Sequence, residues 1–363
     1  MTDFIQKADR IDMETIIRKT TDSDAFGLAS EILRSGGLVA FPTETVYGLG
    51  GDALDPEASK KIYAAKGRPS DNPLIVHIAH KEDVYTLASY VPPAAEKLME
   101  RFWPGPMTII FNKKDIVPDA TTGGLGTVAI RMPSHPDAKR LIDESKVFIA
   151  APSANTSGRP SPSTADHVIE DLSGRIDMIL DGGAVDIGIE SSIIDMTGEV
   201  PAILRPGYIT KADFEEILGE VTIDPAIIKP DPNLRPKAPG MKYTHYAPKG
   251  SLTIIEDKAH PAEVSKAVTA EINRLVAESE ALGKKVMVLT TAENRSSYST
   301  ENVILLGETG NGEEVARNLY SALRKCDDLE ADLIYSEAFN RDKYGGAIMN
   351  RLLKAAGQKV ILV

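Results

Sequence analysis

The residues best suited to chemistry follow Phe41 in one run, FPTETVYGLGGDA, and continue in KIYAAKGRPSDNPLIVHI. Thr43, Glu44 and Thr45 fall in a loop just past the strand-like run LVAF, at the strand end where α/β sheets place ligands. Gly48, Gly50 and Gly51 are expected to let backbone approach a ligand. Lys66 and Arg68 sit just past a helix end, and Pro69, Asn72 and Pro73 stiffen the loop after them. Such a cation pair suits a polyphosphate, Arg as a bidentate fork and Lys as a point charge. Lys66 alone also fits an ordinary helix C-terminus. His77 lies within an apolar strand, where a lone histidine is more often a satisfied core residue than a ligand.

A second polar loop, APSANTSGRPSPS, carries Ser153, Asn155, Ser157 and Ser163 after the strand VFIA. It suits a small polar ligand, and its composition equally fits a plain turn-rich loop. IESS at 189–192 and ILRPG at 203–207 are further such segments. Arg131 and Arg205 each close a strand, with surface ion pairing as the simple alternative. No Ser-His-Asp order, HExxH helix, EF-hand loop or P-loop is present. The pattern therefore indicates positioning and charge stabilisation of a phosphate-bearing substrate. Two Gly-rich stretches are set aside. GLGTVA at 124–129 opens a strand rather than a helix. GETGNG at 307–312 does precede a helix, but Glu313 and Glu314 at the helix start would repel a phosphate.

These loops need elements to hold them. Asp24 to Ser35 is amphipathic and stops at Gly36-Gly37, and Asp55-Pro56 opens a helix ending at Gly67. Strands are expected at 38–41, 74–78, 107–111, 127–131, 147–150, 178–181, 191–195 and 202–205, with helices at 81–90, 93–102, 135–145, 163–172 and 210–218. The late strands crowd too closely for βαβ repetition alone, so the sheet should be mixed. Beyond 251, strands at 252–256, 285–290, 302–306, 332–336 and 359–363 alternate with helices at 261–282, 313–329 and 346–356. That alternation predicts a doubly wound, mostly parallel sheet. Cys326 keeps step with Val315, Leu319 and Leu323, the position of a packed thiol. Residues 221–250 hold six prolines in IDPAIIKPDPNLRPKAPGMKYTHYAPKG and no periodicity, which reads as a long extended connector. Three units follow: an α/β domain over 14–220, a Pro-rich basic connector over 221–250 and a smaller Rossmann-like domain over 251–363.

Composition sets the outer limits. The 363 residues, 42% hydrophobic and 26% charged, fit a globular chain of two or three domains. A single cysteine excludes an intrachain disulfide and a thiolate metal site, and suits a reducing cytosol. No apolar run approaches the ~20 residues that span a bilayer, and the polar start MTDFIQKADRID has no signal-peptide core. Formal charge is −12 overall; it is −12 over 1–220, −3 over 251–363 and +3 in the connector. A broad phosphate-tracking surface is therefore unexpected. The basic connector fits an anionic ligand nearby or an ordinary solvated linker.

The series FPTETVYGLG, KGRP…NPL…H, WPGPMT, TVAIRMP, PSAN, ESSIID and LRPG resembles the YrdC-type threonylcarbamoyl-AMP synthases. The connector ending KYTHYAP, with an appended α/β domain, resembles the long two-domain form of that family. The resemblance implies a YrdC-like mixed twisted sheet with flanking helices, followed by a Rossmann-like doubly wound domain. It implies a nucleotidyltransferase that makes L-threonylcarbamoyladenylate and pyrophosphate from L-threonine, bicarbonate or CO₂, and ATP. Mg²⁺ would arrive with the ATP, and the product would feed threonylcarbamoyladenosine modification of tRNA beside the anticodon.

By the same resemblance Lys66 and Arg68 are the catalytic pair on the phosphates. Asn72, Thr127, Asn155, Ser163 and Arg205 are expected on the nucleotide. Thr43, His77, Arg131, Ser153 and Ser191 are expected around threonine. His245 and Tyr246, with Tyr243 as an alternative contact, would fold over the site as a lid that keeps water from a labile acyl-phosphate. Expected partners are the downstream tRNA threonylcarbamoyl-transferase machinery, in a cytoplasmic setting, without stable membrane association and with weak or absent direct tRNA binding. Rival readings are an RNA-binding or ribosome-maturation module using Lys60, Lys61, Lys66 and Arg68, a related carbamoyl transferase, and a nucleotide or amino-acid sensor without catalysis. The single cysteine counts against the paired-cysteine zinc motifs expected of such a carbamoyl transferase.

Overall fold

The computed structural model describes residues 14–227, 236–241, 245–261, 264–339 and 343–363. Among them, eleven strands form one sheet: β1 (Ile16–Lys19), β2 (Val39–Phe41), β3 (Gly48–Asp52), β4 (Ile75–His77), β5 (Met107–Asn112), β6 (Thr127–Arg131), β7 (Ile149–Ala150), β8 (Met178–Asp181), β9 (Ser192–Asp195), β10 (Ala202–Arg205) and β11 (Thr222–Ile223). They run in the order β1-β8-β2-β3-β7-β4-β6-β5-β9-β10-β11. The sheet is mixed, as the crowded late strands demand: β4 pairs β6 in parallel, while β7 on β4, β5 on β6 and β10 on β9 are antiparallel. This pairing brings the carboxyl ends of β4, β6 and β10 and the amino ends of β5 and β9 to one edge. His77 and Thr108 both stand opposite Arg131 there.

Local signals work where they are strong. Asp55 accepts the Glu57 N–H at 2.8 Å, Pro56 fills the first turn, and Gly67 ends helix Pro56–Lys66 at φ 61°. They fail where the strand signal is weak. β3 is glycine-rich and reads as a loop, yet it is a strand. Cβ atoms on Gly50 and Gly51 would stand 2.6 Å from Ile149 and 3.1 Å from Leu38, so these glycines serve sheet packing rather than ligand approach. β1 and the two-residue β11 carry no pattern long enough to see. Over 81–90 there is only a 3₁₀ turn and the short helix Val84–Leu87, which stops where Ala88 bridges to Lys113.

The C-terminal sheet contains β12 (Ser251–Glu256), β13 (Val286–Thr290), β14 (Val303–Leu305), β15 (Leu333–Glu337) and β16 (Val360–Leu362). All its pairings are parallel, in the order β14-β13-β15-β12-β16. The first helix of this domain runs Lys266–Ala281, with Ser265 as its cap, so it begins later than 261. Cys326 is fully buried and its thiol is pushed up to about 12 by burial, which makes it a packing residue. The two domains share apolar core. Val46, Ile189 and Tyr246 pack in one cluster with Leu319, Tyr320, Ile348 and Leu352 of helices Gly312–Asp328 and Gly345–Ala355. Among the described residues, no helix is long and apolar enough to cross a membrane.

Candidate active site

The shared sheet edge forms the floor of a pocket. Loop 42–47 is shaped by Thr43, whose Oγ1 donates to Val46 O at 2.6 Å and accepts from the Thr45 and Val46 N–H groups. β7 runs against β4, so loop 151–155 crosses toward Arg68, tied by Ala151 N–H to Ile75 O at 2.8 Å and by Leu49 N–H to Pro152 O at 2.8 Å. The connector closes the top. Pro239, Gly240, His245 and Tyr246 all line the pocket, and Ala247 N–H donates to Gly158 O at 2.8 Å. Tyr246 takes a left-handed φ of 66°, held by its packing 5.2 Å from the Tyr320 ring. The space left beneath the connector is about 60 Å³.

The charge inside is concentrated and structured. Arg131 is buried, ion-paired to Glu44 at 2.7 Å, and donates to Thr45 Oγ1 at 2.9 Å. Burial pushes the Glu44 carboxyl up, but Arg131 more than offsets this and holds it below its ordinary range. His77 Nδ1 donates to Ile75 O across 3.1 Å; burial and Arg131 push the ring to about 3, so it is neutral at pH 7. Arg205 donates from Nε to Ser191 O at 2.9 Å and from Nη2 to Ser191 Oγ at 3.1 Å, and Ser191 Oγ also meets Thr108 Oγ1 at 2.8 Å. Arg68 is half-buried and, among the described residues, gives its hydrogen bonds to the backbone oxygens of Asn72 and Pro73. Burial lowers it to about 10, and it stays charged at neutral pH. His245 is pushed to about 3 by burial, Arg68 and Lys354, and its Nε2 is buried without a partner.

Nine of the expected residues line this one pocket: Thr43, Arg68, His77, Arg131, Ser153, Ser191, Arg205, His245 and Tyr246. Five stand outside it. Lys66 is 3% exposed and spends its ammonium on the backbone oxygens of Ser153 and Asn155. Burial and Arg68 push it well below its ordinary value, so here it pins loop 151–155. Asn155 holds the same turn through Thr156 O and Arg159 O. Asn72 is buried behind Arg68 with Oδ1 unpartnered, Thr127 starts β6 at the end remote from Arg131, and Ser163 Oγ meets Ser321 Oγ of the C-terminal domain at 2.9 Å. Tyr243 lies outside the described residues. Glu190 lines the pocket and Glu44 stands on Arg131 beside it; neither was assigned a ligand role, although Glu44 lies in the loop expected at the ligand end of the sheet. The only available signal was their place inside FPTET and IESS, since a carboxylate beside anionic ligands makes sense only once its arginine partner is known.

Among the described residues, no cluster of three or more His, Cys, Asp or Glu could hold a metal ion. Among the described residues, the carboxylate that lines the pocket, Glu190, is paired to Arg351, and Glu44 beside it is paired to Arg131.

Two family models cover most of the chain. One, Sua5/YciO/YrdC, described as telomere recombination, matches residues 31–207, and one described as the threonylcarbamoyl-AMP synthase C-terminal domain matches 209–357. The chain is 46% identical over 347 residues to the threonylcarbamoyl-AMP synthase of Pyrococcus abyssi, covering 96% of this chain and 98% of that protein. It is 48% identical over 343 residues to that of Bacillus subtilis, covering 94% and 96%. The crystal structure of P. abyssi Sua5 complexed with L-threonine superposes with a TM-score of 0.88 at 45% identity, covering 97% of this chain and 99% of that one.

Proposed function

The chain belongs to the threonylcarbamoyl-AMP synthase family in its long two-domain form, and from that premise we propose how its own residues make the adenylate. It is a tRNA-modification enzyme of the adenylyl-transfer type. The observation that carries the reading is the convergence of Arg68, Arg131 and Arg205, neutral His77 and the hydroxyls of Ser153 and Ser191 on one closed pocket.

Threonine sits at the β4–β6 end. Its carboxylate faces Arg131, with Glu44 beside it to limit the net charge, and Thr43, His77, Ser153 and Ser191 supply hydrogen bonds. A neutral His77 bonds the substrate without repelling its ammonium form. The threonine amine, after losing a proton, adds to CO₂ drawn from bicarbonate, and the new N–C bond makes a carbamate. A carbamate oxygen then attacks the α-phosphorus of ATP in line. The bond from that phosphorus to its bridging oxygen breaks, and pyrophosphate leaves with the electron pair. Arg68 and Arg205 hold the phosphates and offset charge as it builds on the leaving group. Lys66 acts from behind, fixing the loop that carries Ser153 and Asn155. Mg²⁺ bound to ATP would add further charge neutralisation, held by the phosphates and water.

About 60 Å³ cannot hold a nucleotide, because ligand pockets usually run to several hundred Å³. The connector residues that roof the pocket, Pro239, Gly240, His245 and Tyr246, therefore move aside to admit ATP and close to exclude water, offering His245 Nε2 to the bound ligand. The setting is cytoplasmic, with the adenylate passed to the tRNA threonylcarbamoyl-transferase machinery and no lasting contact with tRNA. The test is pyrophosphate release from ATP and bicarbonate with each of the twenty amino acids in turn, with the product identified by mass. Release that requires both threonine and bicarbonate is expected; release indifferent to the amino acid would remove threonine from the assignment.

A further inference from the structure

The two largest fully buried side chains are arginines, Arg324 and Arg351, and both belong to the C-terminal domain. Each points into the N-terminal one. Arg324 meets Asp171 at 2.8 Å and Pro160 O at 2.7 Å, at the base of the 151–163 loop. Arg351, on helix Gly345–Ala355, reaches Glu190, a residue of the pocket lining. Its Nε donates to Glu190 Oε2 at 3.1 Å, its Nη2 to Glu190 O at 3.3 Å, and its Nη1 to Pro206 O. One guanidinium thus clamps the segment before β9 to the segment after β10. Those two segments carry Ser191 and Arg205, which are hydrogen-bonded to each other and line the pocket. The approach is tight: a Cβ on Gly207 would lie 2.5 Å from Ser192 N.

The clamp is sealed from solvent. Glu190 is 6% exposed and Arg351 and Tyr320 are 0% exposed. Ser161 Oγ donates to Glu190 Oε1 at 2.6 Å and Tyr320 OH to Oε2 at 2.8 Å, so both carboxylate oxygens have directional partners besides Arg351. A buried ion pair is a poor device for stability alone, since apolar residues of similar volume pack as well or better. Its advantage is geometry, because a planar fork with several acceptors fixes distances that apolar packing leaves loose.

We propose that Arg351 is a positioning residue: acting through Glu190, it sets the relative placement of Ser191 and Arg205, and so makes the C-terminal domain part of the catalytic apparatus. The proposal rests on the reading that Ser191 and Arg205 meet the substrates. The test compares wild type with Arg351→Met, Arg351→Lys, Glu190→Gln and the double variant Glu190→Gln/Arg351→Met. Threonine affinity and binding stoichiometry are measured by calorimetry, and kcat and KM by pyrophosphate release. With full stoichiometry retained, Arg351→Met should lower kcat about 100-fold, the scale of a misplaced reacting group. Arg351→Lys should recover part of that loss. The double variant should lose no more than Arg351→Met, because both changes act through one geometry.

A merely structural arginine would lower the stoichiometry and leave kcat per folded site intact, which would overturn the proposal, as would losses that multiply in the double variant. Should Arg351→Met fail to fold, Arg351→Lys and the double variant, which buries no lone charge, are judged by the same criteria. A wild-type enzyme that binds threonine but releases no pyrophosphate would instead sink the functional reading, and the clamp would then be judged on threonine affinity.

Discussion

The catalytic pocket and the cleft at the carboxyl end of the C-terminal sheet rank oppositely by size and by chemistry. The cleft is the larger, about 430 Å³ against about 60 Å³. It also lies between β13 and β15, where the connections leave in opposite directions and doubly wound sheets usually bind ligands. Yet the smaller pocket presents three arginines, while among the described residues the cleft is lined by no Lys or Arg. The Gly-rich loop 307–312 at the cleft has two of its N–H groups taken by carboxylates: Thr309 N donates to Glu293 at 2.8 Å and Glu308 N to Glu314 at 3.0 Å. A phosphate would have to displace carboxylates the chain itself supplies, as Glu313 and Glu314 already implied. Volume and fold position nominate a site; what decides is charge that the fold has assembled at some cost and not fully used.

The largest expected effect tests that lesson directly. Among the described residues Arg68 serves two backbone carbonyls, so Arg68→Ala should leave the melting temperature nearly unchanged. It should lower kcat/KM for ATP about 1,000-fold, as loss of a charge-stabilising group does, with threonine affinity by calorimetry intact. A loss under tenfold would place phosphate recognition elsewhere in the pocket.

Next comes Glu190. Burial pushes its carboxyl up, but Arg351, Arg205 and Ser161 hold it at about 2, against an ordinary 4.5. A carboxylate depressed in the folded state stabilises above its unfolded value, and that contribution fades as pH falls from 4.5 toward 2. The difference corresponds to about 3 kcal/mol. Glu190→Gln should therefore be less stable than wild type by roughly that amount at pH 7 in urea unfolding, with the gap narrowing near pH 3. A gap that does not change with pH would mean the pair is not what stabilises this junction. His77 and His245, neutral when folded and protonated when unfolded below 6.5, add acid sensitivity of the same sign to both proteins.

These two residues also mark what could be read from sequence. Arg68 was visible because its neighbours, Lys66, Pro69, Asn72 and Pro73, form a local pattern with one chemical sense. The strands that end in His77, Arg131 and Arg205 were visible as apolar runs, as were the regular elements of the C-terminal domain, but a site role for those three residues came only from the family resemblance, since alone His77 reads as a core residue and the arginines as surface ion pairs. Glu190 and Arg351 were not, because the pair spans 161 positions and neither residue belongs to a local motif that names its partner. Lys66 shows the converse limit: its type and spacing were plain, but nothing local showed that its ammonium turns inward to Ser153 and Asn155 rather than toward the cavity. β3 was hidden because glycine is a weak strand former and close packing against Ile149 leaves no trace in its own residue types.

A smaller effect is expected where the C-terminal domain touches the connector. Lys354 donates to Gly240 O, and burial with Arg351 and Arg205 pushes its ammonium to about 7. Removing one such hydrogen bond in Lys354→Met should raise KM for ATP about fivefold, the scale of a single hydrogen bond, while threonine affinity holds. Steady-state kinetics with ATP varied would show it. An unchanged KM would mean this tie does not help to hold the connector over the nucleotide.

The smallest effect is expected in the cleft itself. Glu337 accepts from Thr290 and Tyr298, each at 2.6 Å, and from Asn294 at 3.3 Å, and burial raises its carboxyl. Its charge is thus disfavoured where it sits, and Glu337→Gln keeps an acceptor for the two hydroxyls. Stability should shift by no more than about 1 kcal/mol, the net scale of one rearranged hydrogen bond. Among the described residues, no chain of polar contacts like that through Arg351 joins Glu337 to Ser191 or Arg205, so kcat/KM for threonine and ATP should stay within about twofold, inside the additive range for distant sites. A tenfold fall in kcat at unchanged stability would break the comparison: the larger cleft would then be energetically coupled to the smaller pocket, and the contrast between them would be one of role within a single mechanism.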